Sequence, residues 1–586
     1  MAIQLLVLLS GCAALSWEVI WQLKTSLALG ASAWGTALTL AVTMGGMSVG
    51  ALVMGHALRN KTTTKPLRLY GILEFIVGIC GLLLGTAFRI IEKIDTQIYS
   101  TAPESAPAIY LAGITVALGI PALCLGATLP VIGLAARQYR TSISLLYGLN
   151  TLGAAAGALL AAFLLIPLLG VTAASYTIAA VNIIVGSAAL ILGGDSFITS
   201  KESEETSAAR PSLAMPVALL VVFVTGFATF ALEVSWFRSL TSAFRSTTDA
   251  FAIMLACVLL SLGLAARFVP LLKKNKAPLG VLLAWAGILT LAMTPVIERF
   301  DLIAYQFTPT PFLLFTKWFF MTFYVIGAPV FLLGIALPWL LDEQHNPRKW
   351  GILYGFNALS AILGSLCAGW LLLPAIGFAK TAWLAGLLVA GTGLFLAPAN
   401  KRIVLASLGI MALIVAVFLE SGVGKTRVQS SALTGNLKLA KILRTYEGPD
   451  ATISVVEAES GFKMLVINGF IATLQLDGLE GDLIPTHYMP WMGHMPMLLH
   501  PDPQKALVIA FGTGQTANAV RREKPQSLDI VDLNAKVFSM ADLFTMNEGV
   551  LDDPIVHKTI MDGRAYIRRT NTIYDVITLE PMPPNF

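Results

Sequence analysis

Gly512-Thr513-Gly514 follows the apolar run Ala506 to Phe511, and Asp532 closes the next apolar run, Leu528 to Asp532. Glycines in such a turn let the backbone approach a ligand at a helix N-terminus, and a carboxylate ending the following strand can accept both hydroxyls of a ribose. Asp562-Gly563, after a third run, sets another acid at the same end of the pattern. Together they point to a nucleotide site. The bland alternative stays open: the glycines serve only tight strand-to-helix packing, and Asp532 caps a helix.

A second set of chemical groups lies where charge is expensive. Glu18 and Glu233 stand inside long apolar runs, and a charged side chain in lipid costs at least ~2.5 kcal/mol. Either they face a central cavity, as proton or cation sites or as ligands for a cationic substrate, or they brace helix pairs near the interface, with Trp21 and Trp236 as anchors. Asn150 and Asn357 suit hydrogen bonds between helices. His487, His494 and His500 are close in sequence, but not at helical ligand spacing, so no metal site is expected.

The elements that must position these groups follow from composition. Of 586 residues 56% are hydrophobic and 12% charged, which marks a polytopic membrane protein. Charge gathers after residue 420, so two bodies are expected. The net charge of the second is slightly negative, which argues against nucleic-acid binding. The five cysteines have no CxxC spacing, which excludes a disulfide framework or zinc site.

About thirteen runs are long enough for a hydrocarbon core of roughly 30 Å. They lie near residues 3 to 22, 34 to 57, 69 to 88, 109 to 135, 144 to 169, 173 to 193, 213 to 237, 247 to 270, 278 to 297, 312 to 341, 351 to 373, 379 to 397 and 402 to 419. An internal repeat runs through them. Ser10 to Trp21 returns as Thr225 to Trp236, Gly119 to Pro130 as Gly327 to Pro338, and Leu146 to Gly170 as Leu353 to Gly377. The expectation is two tandem six-helix repeats, residues 1–211 and 212–400, oriented alike as in major-facilitator-type transporters, with residues 401–420 as a linking transmembrane helix.

Beyond residue 420, period-two alternation in 452–457, 462–467 and 471–475, with turns at Glu459 to Gly461 and Asn468-Gly469, predicts a small antiparallel sheet. A helix follows over 483–499, completing a unit at 421–502. Residues 503–586 then read as βαβ, with strands at 506–511, 528–532, 555–560 and 574–579 and helices after the glycine turn and over 536–547.

This tail resembles the spermidine synthase (polyamine aminopropyltransferase) family, and the whole chain resembles bacterial membrane proteins in which such a domain is fused to a major-facilitator-like body. The resembling residues are Gly448 to Val455, Asn468-Gly469, Gly493 to Pro501, Gly512 to Gly514, Asp562 to Arg564, Tyr574 to Ile577 and Glu580-Pro581. The resemblance implies a methyltransferase-like Rossmann sheet that binds decarboxylated S-adenosylmethionine. Gly512, Thr513 and Gly514 would flank the adenosyl moiety, Asp532 would hold the ribose, and Asp562 with Gly563 would meet the adenine. Tyr488 would contact substrate, and Glu580 falls where the catalytic aspartate belongs. The departures are Ala510 for the first glycine of the turn, Ile467 to Ala472 for the usual L-D-G-x-x-Q segment, and Pro583 for a second acid. The four strands leave the sheet incomplete, so a partner subunit is one candidate to cover its open edge.

The function expected is therefore an integral membrane protein with a degenerate spermidine synthase-like domain, serving as a non-catalytic scaffold or as a partner- or ligand-binding unit. The alternatives are a membrane-anchored aminopropyltransferase-like enzyme using S-adenosylmethionine or its decarboxylated form, and a polyamine or cation transporter. Basic residues collect in alternate loops, at Arg59 to Arg68, Arg137 and Arg140, Lys201 and Arg210, Arg267 to Lys276, Arg348 and Lys349, and Lys401 and Arg402. The positive-inside rule then puts the N-terminus in the bacterial cytoplasm and the tail beyond the inner membrane, away from adenosyl donors, with no cofactor bound there.

Overall fold

The computed structural model describes residues 2–30, 33–59, 63–99, 102, 105–193, 198–199, 212–244, 247–304, 310–420, 439–458, 461–475 and 488–579. Among them eleven helices are long and apolar enough to cross a membrane. Their segments are α1 (Ala2–Leu29), α2 (Ala33–Leu58), α3 (Pro66–Tyr99), α4 (Ala106–Gln138), α5 (Ile143–Leu160), α6 (Ile166–Gly193), α7 (Met215–Phe244), α8 (Thr247–Lys274), α9 (Leu279–Ile297), α10 (Pro311–Gly334), α11 (Ala336–Asp342), α12 (Pro347–Cys367), α13 (Leu373–Leu396) and α14 (Ala399–Glu420).

Two of the eleven, over 143–193 and 347–396, are 51 and 50 residues long, far beyond one crossing. Both break at a glycine, Gly170 (φ 74°, ψ 164°) and Gly377 (φ 75°, ψ 170°), in a backbone region essentially closed to other residues. Each carries two of the apolar runs read from the sequence, one on either side of its break. A π-helical turn precedes each break, Ala161–Leu165 in one and Ala368–Leu372 in the other. The run expected over 312–341 is divided at Ile335 into α10 and α11.

Helix packing rests on backbone approach at small residues. α1 runs against α5, where a Cβ at Gly157 would lie 1.9 Å from the Cys12 carbonyl oxygen and one at Gly11 2.0 Å from that of Asn150. α7 meets α12 in the same way, through Gly364 on Phe227 and Gly226 on Asn357. Gly71 on Gly186 joins α3 to α6, and Gly287 on Gly386 joins α9 to α13. Across the middle of the chain, Gly148 of α5 packs on Gly263 of α8, while the Ser48 hydroxyl of α2 donates to the Gly355 carbonyl of α12 at 2.7 Å.

A polar cluster around Glu74 interrupts the apolar interior. The Ser10 hydroxyl donates to Glu74 Oε1 at 2.5 Å and the Asn182 amide to Glu74 Oε2 at 2.7 Å, while the Trp17 indole N–H donates to Asn182. Those partners tie α1, α3 and α6 through a carboxylate with no exposed surface, and a buried polar group is tolerated when so satisfied.

The tail has two sheets. The first is antiparallel, in order along β1 (Leu439–Glu447), β2 (Thr452–Ala458), β3 (Lys463–Ile467) and β4 (Phe470–Gln475). β3 and β4 join through Asn468 (φ 51°) and Gly469 (φ 79°), the two positive φ values of a tight hairpin turn. After α15 (Tyr488–Leu499) comes a parallel sheet of β5 (Lys505–Ile509), β6 (Ser527–Asp532), β7 (Val556–Ile560) and β8 (Val576–Leu579), ordered β8-β5-β6-β7. α16 (Gln515–Arg522), α17 (Ala535–Phe538) and α18 (Gly563–Arg569) connect them.

The helix expected over 536–547 does not form as one piece. It stops at Phe538 and resumes only as a 3-10 turn, Ala541–Leu543. Side chains capture the backbone instead: Gln475 Oε1 accepts from the Met546 N–H, and the Asn547 amide donates to the Ala541 and Thr513 carbonyls. Such competition disfavours helix.

The tail rests on the ends of α1, α3 and α7 and on the Gly377 turn. Arg569 of α18 holds Asp95 of α3 with both nitrogens, at 2.9 and 3.1 Å, and stacks over Tyr99. Arg564 and Arg568 donate to the carbonyls of Ser26 and Ala28 at the end of α1. In the antiparallel part, Arg238 of α7 donates to the Asp450 carbonyl at 2.9 Å, and Glu447 accepts from the Phe378 N–H at 2.9 Å.

Candidate functional site

The C-terminal ends of β5, β6 and β7 bring the glycine turn, Asp532 and Asp562 together. Ala510 takes a left-handed conformation (φ 71°), followed by Gly512 (φ 55°) and Gly514 (φ 85°), which caps α16. A Cβ at Gly514 would meet the Phe511 ring at 2.6 Å, so the turn needs glycine there for room as well as for φ. A Cβ at Gly512 would meet only a Thr473 methyl, at 3.4 Å, which leaves the backbone open on that side. Thr513 is buried, its hydroxyl accepting from the Gln515 amide and its carbonyl from Asn547.

Asp532 closes β6 beside this turn. Its Oδ2 accepts from the Phe511 N–H and its Oδ1 from the Asn534 N–H, both at 2.9 Å. Burial pushes the carboxyl above its ordinary range, partly offset by those N–H donors. The Asp532 carbonyl accepts from the Met561 N–H, which sets Asp562 at the neighbouring strand end. Asp532 therefore braces the glycine turn, while the cap of α17 is Asn534, whose Oδ1 accepts from the Lys536 N–H.

Asp562 is differently employed. Its Oδ1 caps α18 by accepting from the Ala565 N–H at 2.9 Å. A Cβ on Gly30, at the end of α1, would lie 2.7 Å from the Asp562 Cβ. The membrane body therefore packs directly against this residue. Gly563 passes close over Ile509, leaving no room for a side chain.

The other residues singled out from the sequence divide. Tyr488 opens α15 and is about half exposed. Asn468 turns its Oδ1 to the Thr452 N–H, at 3.0 Å, rather than outward. His494 pairs with Glu523 at 2.6 Å and His500 accepts from the Asp502 N–H. Glu580, Pro583 and His487 lie outside the described residues. In the membrane body, Glu18 and Glu233 sit well inside α1 and α7, which continue to Leu29 and Phe244. They are thus not near the helix ends that the apolar runs suggested. Glu18 lies within electrostatic reach of Glu233 and of Tyr354.

Three groups escaped the sequence reading. The Asp95 and Arg569 pair joins positions 474 apart, and Glu74 carried no repeat to draw attention. The third is a chain in which Tyr566 and Tyr574 share a 2.7 Å hydrogen bond and Tyr574 donates to Asp529. Burial, and then the bond to Asp529, pushes the Tyr574 phenol well above its usual range. Only the Tyr-Asp dipeptide at 574–575 hinted at it.

The strain at Ala510 gives a direct test. A left-handed non-glycine residue costs roughly 1–2 kcal/mol, part of which a glycine loses again to its freer unfolded chain. Ala510→Gly is expected to stabilise the tail by up to about 1 kcal/mol, read as a raised midpoint in denaturant unfolding.

Comparison with known proteins agrees with this architecture. The family described as "Spermine/spermidine synthase domain" matches residues 486–585. A polyamine aminopropyltransferase of Archaeoglobus fulgidus is 32% identical over 149 residues, 25% of this chain and 52% of that protein. One of Bacillus subtilis is 27% identical over 161 residues, 27% of this chain and 56% of its own. The chain thus spans about half the length of these relatives. A crystal structure of spermidine synthase from Thermotoga maritima aligns at 22% identity and a TM-score of 0.23, covering 25% of this chain and 50% of that one. The C-terminal region carries a spermidine synthase-like α/β domain, joined to a body of long apolar helices.

Proposed function

We propose that the chain is an integral membrane protein whose body is a tandem pair of six-helix units with a linking helix. In this reading its spermidine synthase-like domain has given up group transfer and serves as a ligand- or partner-binding scaffold. The observation that carries the reading is the employment of Asp562. The acid that would meet an adenine amino group instead caps α18 and packs against Gly30 of the membrane body. The chemistry of the crevice agrees. Asn468 stands where an acid would contact a cationic amine, and Ala510 strains the turn where glycine would relax it. The close packing of Gly30 on Asp562 leaves less room at the adenine end of the crevice.

Several observations support the duplication: matched glycine breaks, matched π turns, and the same close contacts of α1 on α5 and α7 on α12. The tail rests on the C-terminal ends of α1, α3 and α7. Odd-numbered crossings ending there leave the basic loops on the opposite side, which under the positive-inside rule supports a tail outside the cytoplasm of a bacterial inner membrane. Partner binding at the free edge of β8 belongs to the same reading.

A second reading is a membrane-anchored aminopropyltransferase-like enzyme, favoured by the open backbone at Gly512 and the carboxylate of Asp532 beside it. Calorimetry of the purified full chain with S-adenosylmethionine, its decarboxylated form and methylthioadenosine separates the two. The scaffold reading expects no heat from any of the three, and micromolar binding of the decarboxylated donor would overturn it. A green fluorescent reporter placed after Glu420 should stay dark while alkaline phosphatase is active; the reverse pattern would put the tail in the cytoplasm.

A further inference from the structure

The last carbonyls of a helix have no partner within it, and at the end of α1 the tail supplies donors. Arg564 donates to the Ser26 carbonyl at 3.3 Å, and Arg568 to those of Leu27 and Ala28. Positive charge is favoured at that end of the helix dipole. Arg569 grips Asp95 of α3, and Arg568 also lies 3.9 Å from Glu92, three residues earlier on α3. All three arginines of α18 therefore hold the membrane body. The first turn of the same helix belongs to the crevice. Asp562 caps α18 and stands at the end of β7 beside Asp532. Gly30, the residue after α1, lies on that turn: an added Cβ would sit 2.7 Å from the Asp562 Cβ and 3.2 Å from the Ala565 Cβ. α18 is itself pinned to the sheet, since Tyr566 shares a 2.7 Å hydrogen bond with Tyr574 and Gly563 lies against Ile509.

We propose that docking of the tail on the membrane body closes the Asp562 edge of the crevice, with the end of α1 as the plug, so that docking and nucleoside binding exclude one another. The proposal rests on the scaffold reading in its ligand-binding form. The crevice is open at Gly512, where an added Cβ meets only a methyl group. At its other edge Gly30 leaves no room even for a methyl between body and tail. A nucleoside lying along the strand ends, from Gly512 past Asp532 to Asp562, needs that second edge. The end of α1 must withdraw to admit it, and Arg564, Arg568 and Arg569 then lose their partners together, because one short helix carries them all. Such coupling is reciprocal. Whatever weakens docking strengthens binding, and the ligand in turn loosens docking. The affinity of the docked chain is reduced by the small fraction of molecules that stand undocked.

The test uses the full chain in detergent, with adenosine as probe and 2′,3′-dideoxyadenosine as the control for the ribose hydroxyls, read by calorimetry. Asp95→Ala alters the membrane body alone, and Arg564→Ala with Arg568→Ala frees the end of α1. Combining these with Arg569→Ala leaves none of the arginine contacts. Each variant is expected to bind adenosine roughly tenfold or more tightly than the wild type, and the dideoxy compound more weakly than adenosine. A gain of binding cannot arise from loss of the fold. Hydrogen exchange of the wild type should show the reverse effect, with millimolar adenosine loosening the final turn of α3. Equal binding of adenosine by the wild type and the combined variant would overturn the proposal. Silence of both would overturn it too, while leaving a partner-binding scaffold standing. Tight binding of the decarboxylated donor by the wild type would remove both readings.

Discussion

Replacing Arg569 by alanine is expected to release the tail from the membrane body while leaving both parts folded. The side chains of Arg569 and Asp95 are 6% and 1% exposed and joined by two hydrogen bonds. Removing one partner strands the other as an uncompensated buried charge, which costs about 3–5 kcal/mol. That exceeds what the exposed contact of Arg564 and the part-buried contacts of Arg568 offer. In hydrogen exchange, amides of α18 and of the final turn of α3 should lose protection together, and those of the central tail sheet should keep theirs. Asp95→Ala should behave alike. The double variant should be milder than the sum of the two, because it leaves no orphaned charge.

Gly157→Ala and Gly364→Ala are expected to be among the most damaging single methyl additions in the membrane body. The added carbon would lie 1.9 Å from the Cys12 carbonyl oxygen in one case and 2.2 Å from that of Phe227 in the other. Both obstacles are backbone, so the helices must part by an ångström or more, and overpacking of this kind costs about 1–3 kcal/mol. Gly85→Ala and Gly391→Ala, which meet nothing within 4 Å, should be neutral or slightly stabilising. Thermal unfolding in detergent, followed by the loss of monodisperse protein, reads all four. Equal midpoints for Gly157→Ala and Gly85→Ala would refute the packing account.

Much of the architecture was legible because its signals are local. Apolar runs of crossing length name themselves, and the breaks at Gly170 and Gly377 fall at the ends of the repeated segments Leu146 to Gly170 and Leu353 to Gly377. The βαβ order of the tail was readable from its strands and from the Gly512 turn. Helix lengths were less legible: α1 and α7 extend past polar residues such as Gln22 and Arg238, which the hydropathy pattern treats as ends. The 536–547 helix failed for a different reason, since Gln475 and Asn547 reach it from distant positions. At the site, Asp532 could be placed from its spacing, whereas the capping role of Asp562 depends on where α18 begins. The Asp95 and Arg569 contact had no sequence signal, because neither residue belongs to a motif and nothing local links them.

That contact also dictates an order of events during synthesis. Asp95 and Arg569 are separated by 474 positions, and at roughly 5–20 residues per second Asp95 emerges about half a minute to a minute and a half before its partner exists. The same delay holds for the carbonyls of Ser26 and Ala28, which wait for arginines more than 500 positions away. The helical body must therefore insert and pack while its docking face is still bare and solvated. Docking of the tail is then the final step of biogenesis, and a ribosome stalled before Arg564 would leave an inserted bundle with nothing to close that face.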